Sequence, residues 1–278
     1  MTRLLITGGS GYLGQHMVPA AANTFDTVHT YFTQDSPHLG NGYSIDLRDS
    51  LATHRLISKI QPAIIVHLAG SNRSPDMESV IVQGTRNIVE EAAKINARLI
   101  HLSTDVLFDG NDGPYSEADP PNPIHAYGRA KAAAEKLVTR YDNHVIVRTS
   151  LIYGLRLVDH STEWVISSLR NKQPVVLFSD QIRNPVWTET LCLACLELVE
   201  LDYRGIINVA GNQALSRAEF GLKLLDWWDY DHRENLSIGS SDDTWPHDCR
   251  LHLELAESLL STPLLGVDQV LTGVISNS

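Results

Sequence analysis

The chain is short of cysteine, of basic residues and of long apolar runs, and each shortage removes a class of protein. Three cysteines among 278 residues, an odd number, make no disulfide framework and fit a reducing compartment. Lys and Arg number 22 against 33 Asp and Glu, for a formal net charge of −11. Nucleic-acid binders draw most of their affinity from clustered Lys and Arg, so the balance speaks against that class. No run approaches the length of a membrane span. The opening MTRLLITGGSG is broken by glycines before it can form the apolar region of a secretory signal, and a cytoplasmic location is expected. Internal repeats and low-complexity tracts are absent. The twelve histidines form no metal-ligand cluster. Cys192 and Cys195 make a C-x-x-C, but within TLCLACLELVEL, the pattern of a buried helix, and no second pair completes a zinc site.

What is present is apolar residues, at 43%, enough for one large α/β domain or a nucleotide-binding domain with a small lobe. Strand-like runs at 3–7, 27–32, 63–69, 98–103 and 144–150 alternate with helical segments near 12–22, 50–60, 76–95 and 125–141. Strands separated by helices of that length imply right-handed crossovers and a parallel sheet covered on both faces. The fold class is therefore α/β, a doubly wound, Rossmann-like parallel sheet. Beyond residue 150 the alternation loosens, with strands expected at 174–179 and 205–211 and helices at 188–200 and 216–229. The expected division is a dinucleotide-binding domain over 1–155, followed by a mainly substrate-binding lobe over 156–278 with some segments returning to the sheet.

LLITGGSGYLGQHMV places Gly8, Gly11 and Gly14 between the first strand and the first helix. There the backbone must turn tightly and approach a pyrophosphate, whose charge suits the free N–H groups of a helix N-terminus. Asp46, followed by Leu47, stands where a carboxylate could accept from an adenine amino group. His67-Leu68-Ala69-Gly70 ends the strand over which a dinucleotide would run, with small residues for close approach. HAYGRAKAAAEKL sets Tyr127 four residues before Lys131 in an alanine-rich helical run, so the phenol and the ammonium share one helix face.

Together TGGSGYLG, Asp46-Leu47, HLAG, LSTDVLFDG, the Tyr127/Lys131 pair and VIVRTSLIYG resemble, in order, the motifs of extended short-chain dehydrogenase/reductases. STDVLFDGNDGPYSEADPPNPIHAYGRAKAAAE looks like the dTDP-4-dehydrorhamnose reductase group, and also like the related regulatory beta subunit of methionine adenosyltransferase. Two features depart from the pattern. Ile81 stands where the superfamily often carries the Asn of a water relay, and Trp245-Pro246 replaces an Arg-Pro pair ahead of the C-terminal segment.

The resemblance implies an NAD(P)-dependent oxidoreductase that reduces the 4-keto group of a nucleotide-linked deoxysugar. Tyr127 would be the general acid, Lys131 the charge that favours its phenolate and holds the nicotinamide ribose, and Thr104 the hydroxyl that polarises the carbonyl. NADP or NAD would lie along Gly8, Gly11, Tyr12, Leu13, Gly14, Asp46, Leu47, Leu68, Ala69 and Gly70, reaching Tyr127 and Lys131. Asp105, Asp109, Glu117 and Asp119 read as turn, loop or capping groups. Arg183 and Trp187 are the lobe residues expected to pair with phosphate and stack on a ring. The segment from Phe32 to Asp35 offers the neutral Thr33 and Gln34 to the adenosine ribose, and both cofactors are expected to work, with a modest preference for NADPH. A homodimer is a possible assembly, and no nucleic acid, membrane or metal is expected. An epimerase or dehydratase, or a non-catalytic dinucleotide-binding subunit, are the competing readings.

Overall fold

Along the first strand, β1 (Arg3–Thr7), apolar residues are used on both sides. Leu4 and Ile6 enter one core cluster and Leu5 the other, as the two-residue period of a strand buried on both faces requires. The computed structural model describes residues 1–34, 40–70 and 76–275. After β1 come α1 (Tyr12–Ala22), β2 (Asp26–Tyr31), β3 (Gly42–Ser44), α2 (Ser50–Ile60), β4 (Ile64–His67), α3 (Met77–Ile95), β5 (Arg98–Leu102), α4 (Ala126–Val138) and β6 (His144–Arg148). The remainder is β7 (Ile152–Tyr153), α5 (His160–Arg170), β8 (Val175–Phe178), β9 (Ile182–Arg183), β10 (Val186–Trp187), α6 (Thr188–Glu200), β11 (Gly205–Asn208), β12 (Leu215–Ser216), α7 (Arg217–Trp227), β13 (Leu236–Gly239), α8 (Glu254–Leu259) and α9 (Val267–Ile275).

Seven strands form one sheet in the order β11-β6-β5-β4-β1-β2-β3, and every neighbouring pair is parallel. The doubly wound α/β expectation is met. Helices α1 and α6 pack on one face through Met17, Val18, Leu191 and Leu198; α2 and α3 pack on the other through Ile57, Ile60, Ile88 and Ala92. The strand order reverses between β1 and β4, and such a switch point opens a crevice at the carboxyl ends of the strands. β11 lies well beyond residue 155 yet pairs with β6, so a late segment does return to the sheet. Among the described residues, no helix is long and apolar enough to cross a membrane.

Several elements depart from the sequence reading, β3, α5 and β8 among them. β3 follows a segment with no strand pattern and pairs only along 42–44. α5 was not expected, although Asp159 marks its start by accepting from the amides of Ser161 and Thr162. The PVVLFS run forms β8 as expected, but it pairs with β13 in a separate two-stranded sheet and not with the main one. The C-x-x-C lies buried in α6 as read, and burial pushes the Cys195 thiol up to about 12.

Candidate active site

The glycine turn owes its shape to backbone crowding. A Cβ on Gly14 would stand 2.4 Å from the carbonyl oxygens of Gly8 and Gly9, so only glycine lets α1 start this close to β1. Gly8 has φ +71°, and a Cβ there would lie 3.0 Å from the Ala69 backbone, which ties the turn to the end of β4. Gly11 has φ −70° at the N-cap of α1, no side chain caps that helix, and its first turn holds no acid. An added Cβ on Gly11 would meet only the Gly8 oxygen, at 3.1 Å, so its outer side is open. An uncapped, uncharged helix start behind such a turn is an anion seat.

Tyr12 faces the reactive cavity, and its hydroxyl donates to the Leu157 oxygen at 3.0 Å. The Leu13 side chain is buried in the core at 6% exposure, which leaves only its backbone toward a ligand. Leu68 packs against the core, the Ala69 amide donates to Thr7 Oγ1 at 3.4 Å, and a Cβ on Gly70 would meet Ile81 at 3.0 Å.

Asp46, expected to face an adenine, is already engaged. Arg48 Nη2 lies 2.7 Å from Asp46 Oδ2, and Arg48 Nη1 lies 3.1 Å from Asp76. The guanidinium also sits 5.9 Å from the centre of the Phe32 ring. Arg48 holds the Asp46 carboxyl below its usual range. Leu47 is buried beneath. Asp35, to which the question of cofactor choice led, lies outside the described residues.

Helix α4 carries Tyr127 and Lys131, and a glycine sets its position. A Cβ on Gly128 would lie 2.2 Å from the Val106 oxygen, so α4 packs directly on the 3-10 turn Asp105–Leu107 that Thr104 caps. Tyr127 and Thr104 therefore line one cavity of about 480 Å3. Burial, and then Asp105, push the Tyr127 phenol up to about 12, whereas the sequence reading had Lys131 lowering it. Lys131 is 4% exposed, and its ammonium donates to the Leu102 oxygen at 2.5 Å. Burial holds it down to about 8, against the pull of Glu135. Glu135 is held in turn by Ser103 at 2.5 Å and by Arg148 at 2.9 Å.

Residues 1–251 match the family model described as the RmlD substrate binding domain. The chain belongs to the RmlD substrate-binding-domain family. Methionine adenosyltransferase 2 subunit beta of Bos taurus is 31% identical over 246 residues, covering 81% of this chain and 71% of that protein. A dTDP-4-keto-6-deoxy-D-glucose reductase of Streptomyces niveus is 30% identical over 217 residues, covering 74% of this chain and 72% of its own length. The solved structure of a hypothetical dTDP-4-dehydrorhamnose reductase from Sulfolobus tokodaii superposes with a TM-score of 0.84 at 29% identity, over 97% of this chain and 99% of that one.

In this RmlD-family chain Arg183 lines the cavity and Trp187 does not. Arg183 spends its guanidinium on the oxygens of Ile182, Pro246 and His247, at 2.6 to 2.7 Å, and faces Asp105 at 3.6 Å. It locks the 246–247 segment in place through three of its five N–H groups. Trp187 packs beside the cluster of Tyr153, Leu215 and Val267 and does not line the cavity. Arg217 and Trp245 stand in the cavity wall beside Arg183. Trp245 stacks on His125, with ring centres 3.7 Å apart. Arg217 opens α7, and among the described residues its guanidinium has no hydrogen bond or ion pair.

Asp105 opens the 3-10 turn, as read, and is also a buried group. It is 3% exposed, accepts from the Ser150 hydroxyl at 2.6 Å, and burial raises its carboxyl above the usual carboxylate range. Asp109, Glu117 and Asp119 do order loops: Asp109 accepts from Tyr115, Asn111 and Asn122, Glu117 from the Asn208 amide, and Asp119 from Ser116. The only sequence signal for Arg217 is the S-x-x-E capping box of Ser216 and Glu219, which marks a helix start. The described residues fit a dinucleotide: a glycine cradle that side chains would fill, an open helix start, and a buried ammonium one helical turn from a phenol.

Proposed function

We propose that the chain reduces the 4-keto group of a nucleotide-linked deoxysugar, using NADPH or NADH. The observation that carries this reading is the single cavity at the carboxyl edge that holds Thr104 and Tyr127, with Lys131 one helical turn deeper and the glycine turn at the same edge. A reductase must present a proton to an oxygen that gains charge, and a phenol held near 12 stays protonated and available at neutral pH. Thr104 Oγ1 stands in the same wall to orient that oxygen. The reduced nicotinamide, when bound, supplies the hydride to the carbonyl carbon. Lys131 holds positive charge beside the phenolate left by the transfer, and binds the cofactor's ribose.

The substrate's nucleotide lies toward Arg217. Past His160, Ser161, Phe178 and Arg217 a second cavity of about 590 Å3 continues between Trp164, Val165, Pro174 and Val176. Arg217 is the cation for the diphosphate, and the apolar walls take the nucleoside.

Incubation with a panel of nucleotide 4-keto sugars and either cofactor should give net loss of reduced-nicotinamide absorbance. An epimerase or dehydratase would return the hydride and leave that absorbance unchanged. The second reading, a dinucleotide-binding regulatory subunit, is favoured by the identity to methionine adenosyltransferase subunits. It predicts cofactor binding with no turnover of any sugar, and co-purification with a synthetase.

A further inference from the structure

The strand that delivers Thr104 breaks its own pattern one turn earlier. β5 reads RLIHL, and its second polar residue, His101, is 0% exposed in the middle of the sheet. Its Nδ1 is buried without a hydrogen-bond partner. An apolar residue would satisfy the packing there without orphaning a polar atom, and such an orphan in a core requires an explanation. The explanation is on the other side of the ring. His101 Nε2 lies 3.4 Å from Lys131 Nζ.

A buried ammonium has three N–H groups to place. The Leu102 oxygen takes one. On the α3 side Ile81, 1% exposed, packs with Ala130, Ala134 and Tyr127 and provides no acceptor. His101 is thus the remaining acceptor from the sheet, and accepting at Nε2 places its own proton on the orphaned Nδ1. We propose that His101 is a positioning residue for Lys131: its neutral imidazole accepts from the ammonium and, with the Leu102 oxygen, fixes it beneath the reactive cavity with one donor left for the cofactor. This rests on the reading of Lys131 as the group that binds the cofactor ribose.

The surroundings keep that imidazole neutral. His67, on β4, has its ring centre 5.3 Å from that of His101 and is held between Thr7 at 2.6 Å and Thr85 at 3.1 Å. His144 faces from β6, and Lys131 itself opposes a second positive charge. Burial draws His67 down to about 3 and His101 well below its ordinary value. The one acid near Lys131, Glu135, is shared with Ser103 and Arg148. An acceptor lost from an ammonium weakens its charged form, so the Lys131 ammonium should titrate at lower pH without His101.

The test compares wild type with His101→Phe, which keeps the ring volume and removes the acceptor, and His101→Gln, which keeps an acceptor near the Nε2 position. NADPH affinity is read by fluorescence titration from pH 6.5 to 9.5, and kcat/KM on a 4-keto sugar over the same range. The expected result is a basic limb moved down by about one pH unit in His101→Phe, hence roughly tenfold weaker NADPH binding on that limb, with His101→Gln close to wild type. A wild-type limb in His101→Phe overturns the proposal. If His101→Phe does not fold, His101→Gln decides: a limb coincident with wild type supports the role and a displaced one overturns it. Wild-type protein that binds NADPH but reduces no 4-keto sugar would sink the reductase reading alone, since the binding titration still tests His101. Failure of the wild type to bind either cofactor would overturn both.

Discussion

Lys131→Met should remove cofactor binding while leaving the free protein at least as stable as wild type near neutral pH. The ammonium is 4% exposed and titrates at about 8, against an ordinary value of 10.5. The unfolded chain therefore takes up a proton as pH falls through 10.5, while the folded chain waits until about 8. Stability drops across that window and stays low below it. At ~1.36 kcal/mol per unit the full cost below pH 8 is about 3 kcal/mol. Met keeps most of the stem volume and avoids this cost, but it deprives the Leu102 oxygen of its donor, a loss of about 1–3 kcal/mol. The variant should thus be more stable than wild type by about 0–2 kcal/mol at pH 7. At roughly 2–4 °C per kcal/mol for a chain of this size, the rise in Tm is at most several degrees.

The advantage should also fade between pH 8 and 10.5, because only wild type regains stability there. Urea unfolding of both proteins at pH 7, 8, 9 and 10 measures this directly, and shifts from other groups cancel in the difference. A variant less stable by more than about 2 kcal/mol at pH 7, or a difference that does not change with pH, would show that Lys131 is not the buried, strained charge described above.

Tyr127→Phe should bind NADPH nearly as wild type and lose roughly 10²–10⁴-fold in kcat, the usual reach of a general acid; near-normal turnover would remove Tyr127 from the chemistry. Gly14→Ala, whose Cβ would stand 2.4 Å from two carbonyl oxygens, should lower both stability and cofactor affinity, whereas Gly11→Val should spare the fold and abolish binding, as thermal melts beside NADPH titrations will show. Arg48→Gln, which removes the cation 2.7 Å from Asp46, should return the Asp46 carboxyl toward its ordinary range; an unchanged Asp46 titration by NMR would refute the pairing.

The parts of this molecule that local chemistry decides were legible in its sequence. α1 spans 12–22 as read, α3 begins at Met77 against an expected 76, and Tyr127 and Lys131 share a helix. Glycines, caps and apolar periods act over a few residues, and the sequence displays them. What remained hidden depends on contacts far apart in the chain. Arg183 looked like a free cation until Pro246 and His247, more than sixty residues on, supplied its acceptors. Asp105 sits beside glycines and resembled a turn, yet Ser150 and Arg183 bury it. Arg48, two residues from Asp46, was in plain view, but its reach to Asp76 and Phe32 needed the fold.

The site is built where the strands stop being apolar. β1 ends in Thr7, β4 in His67, β5 gives way to Ser103, Thr104 and Asp105, and β6 ends in Arg148 before Thr149 and Ser150. Because the strands are parallel, these carboxyl ends lie side by side at one edge, and their polar groups must satisfy one another or be left unpaired. Most are paired in short chains: Thr7 with His67 and Thr85, Ser103 with Glu135 and Arg148, Ser150 with Asp105 and Arg183. The last of these chains runs through Arg183 to the segment that carries Trp245, so Asp105, which adds to burial in raising the Tyr127 phenol, also helps fix the Trp245 wall of the cavity. The electrostatics of the phenol and the placing of Trp245 are in this way both tied to one buried carboxyl.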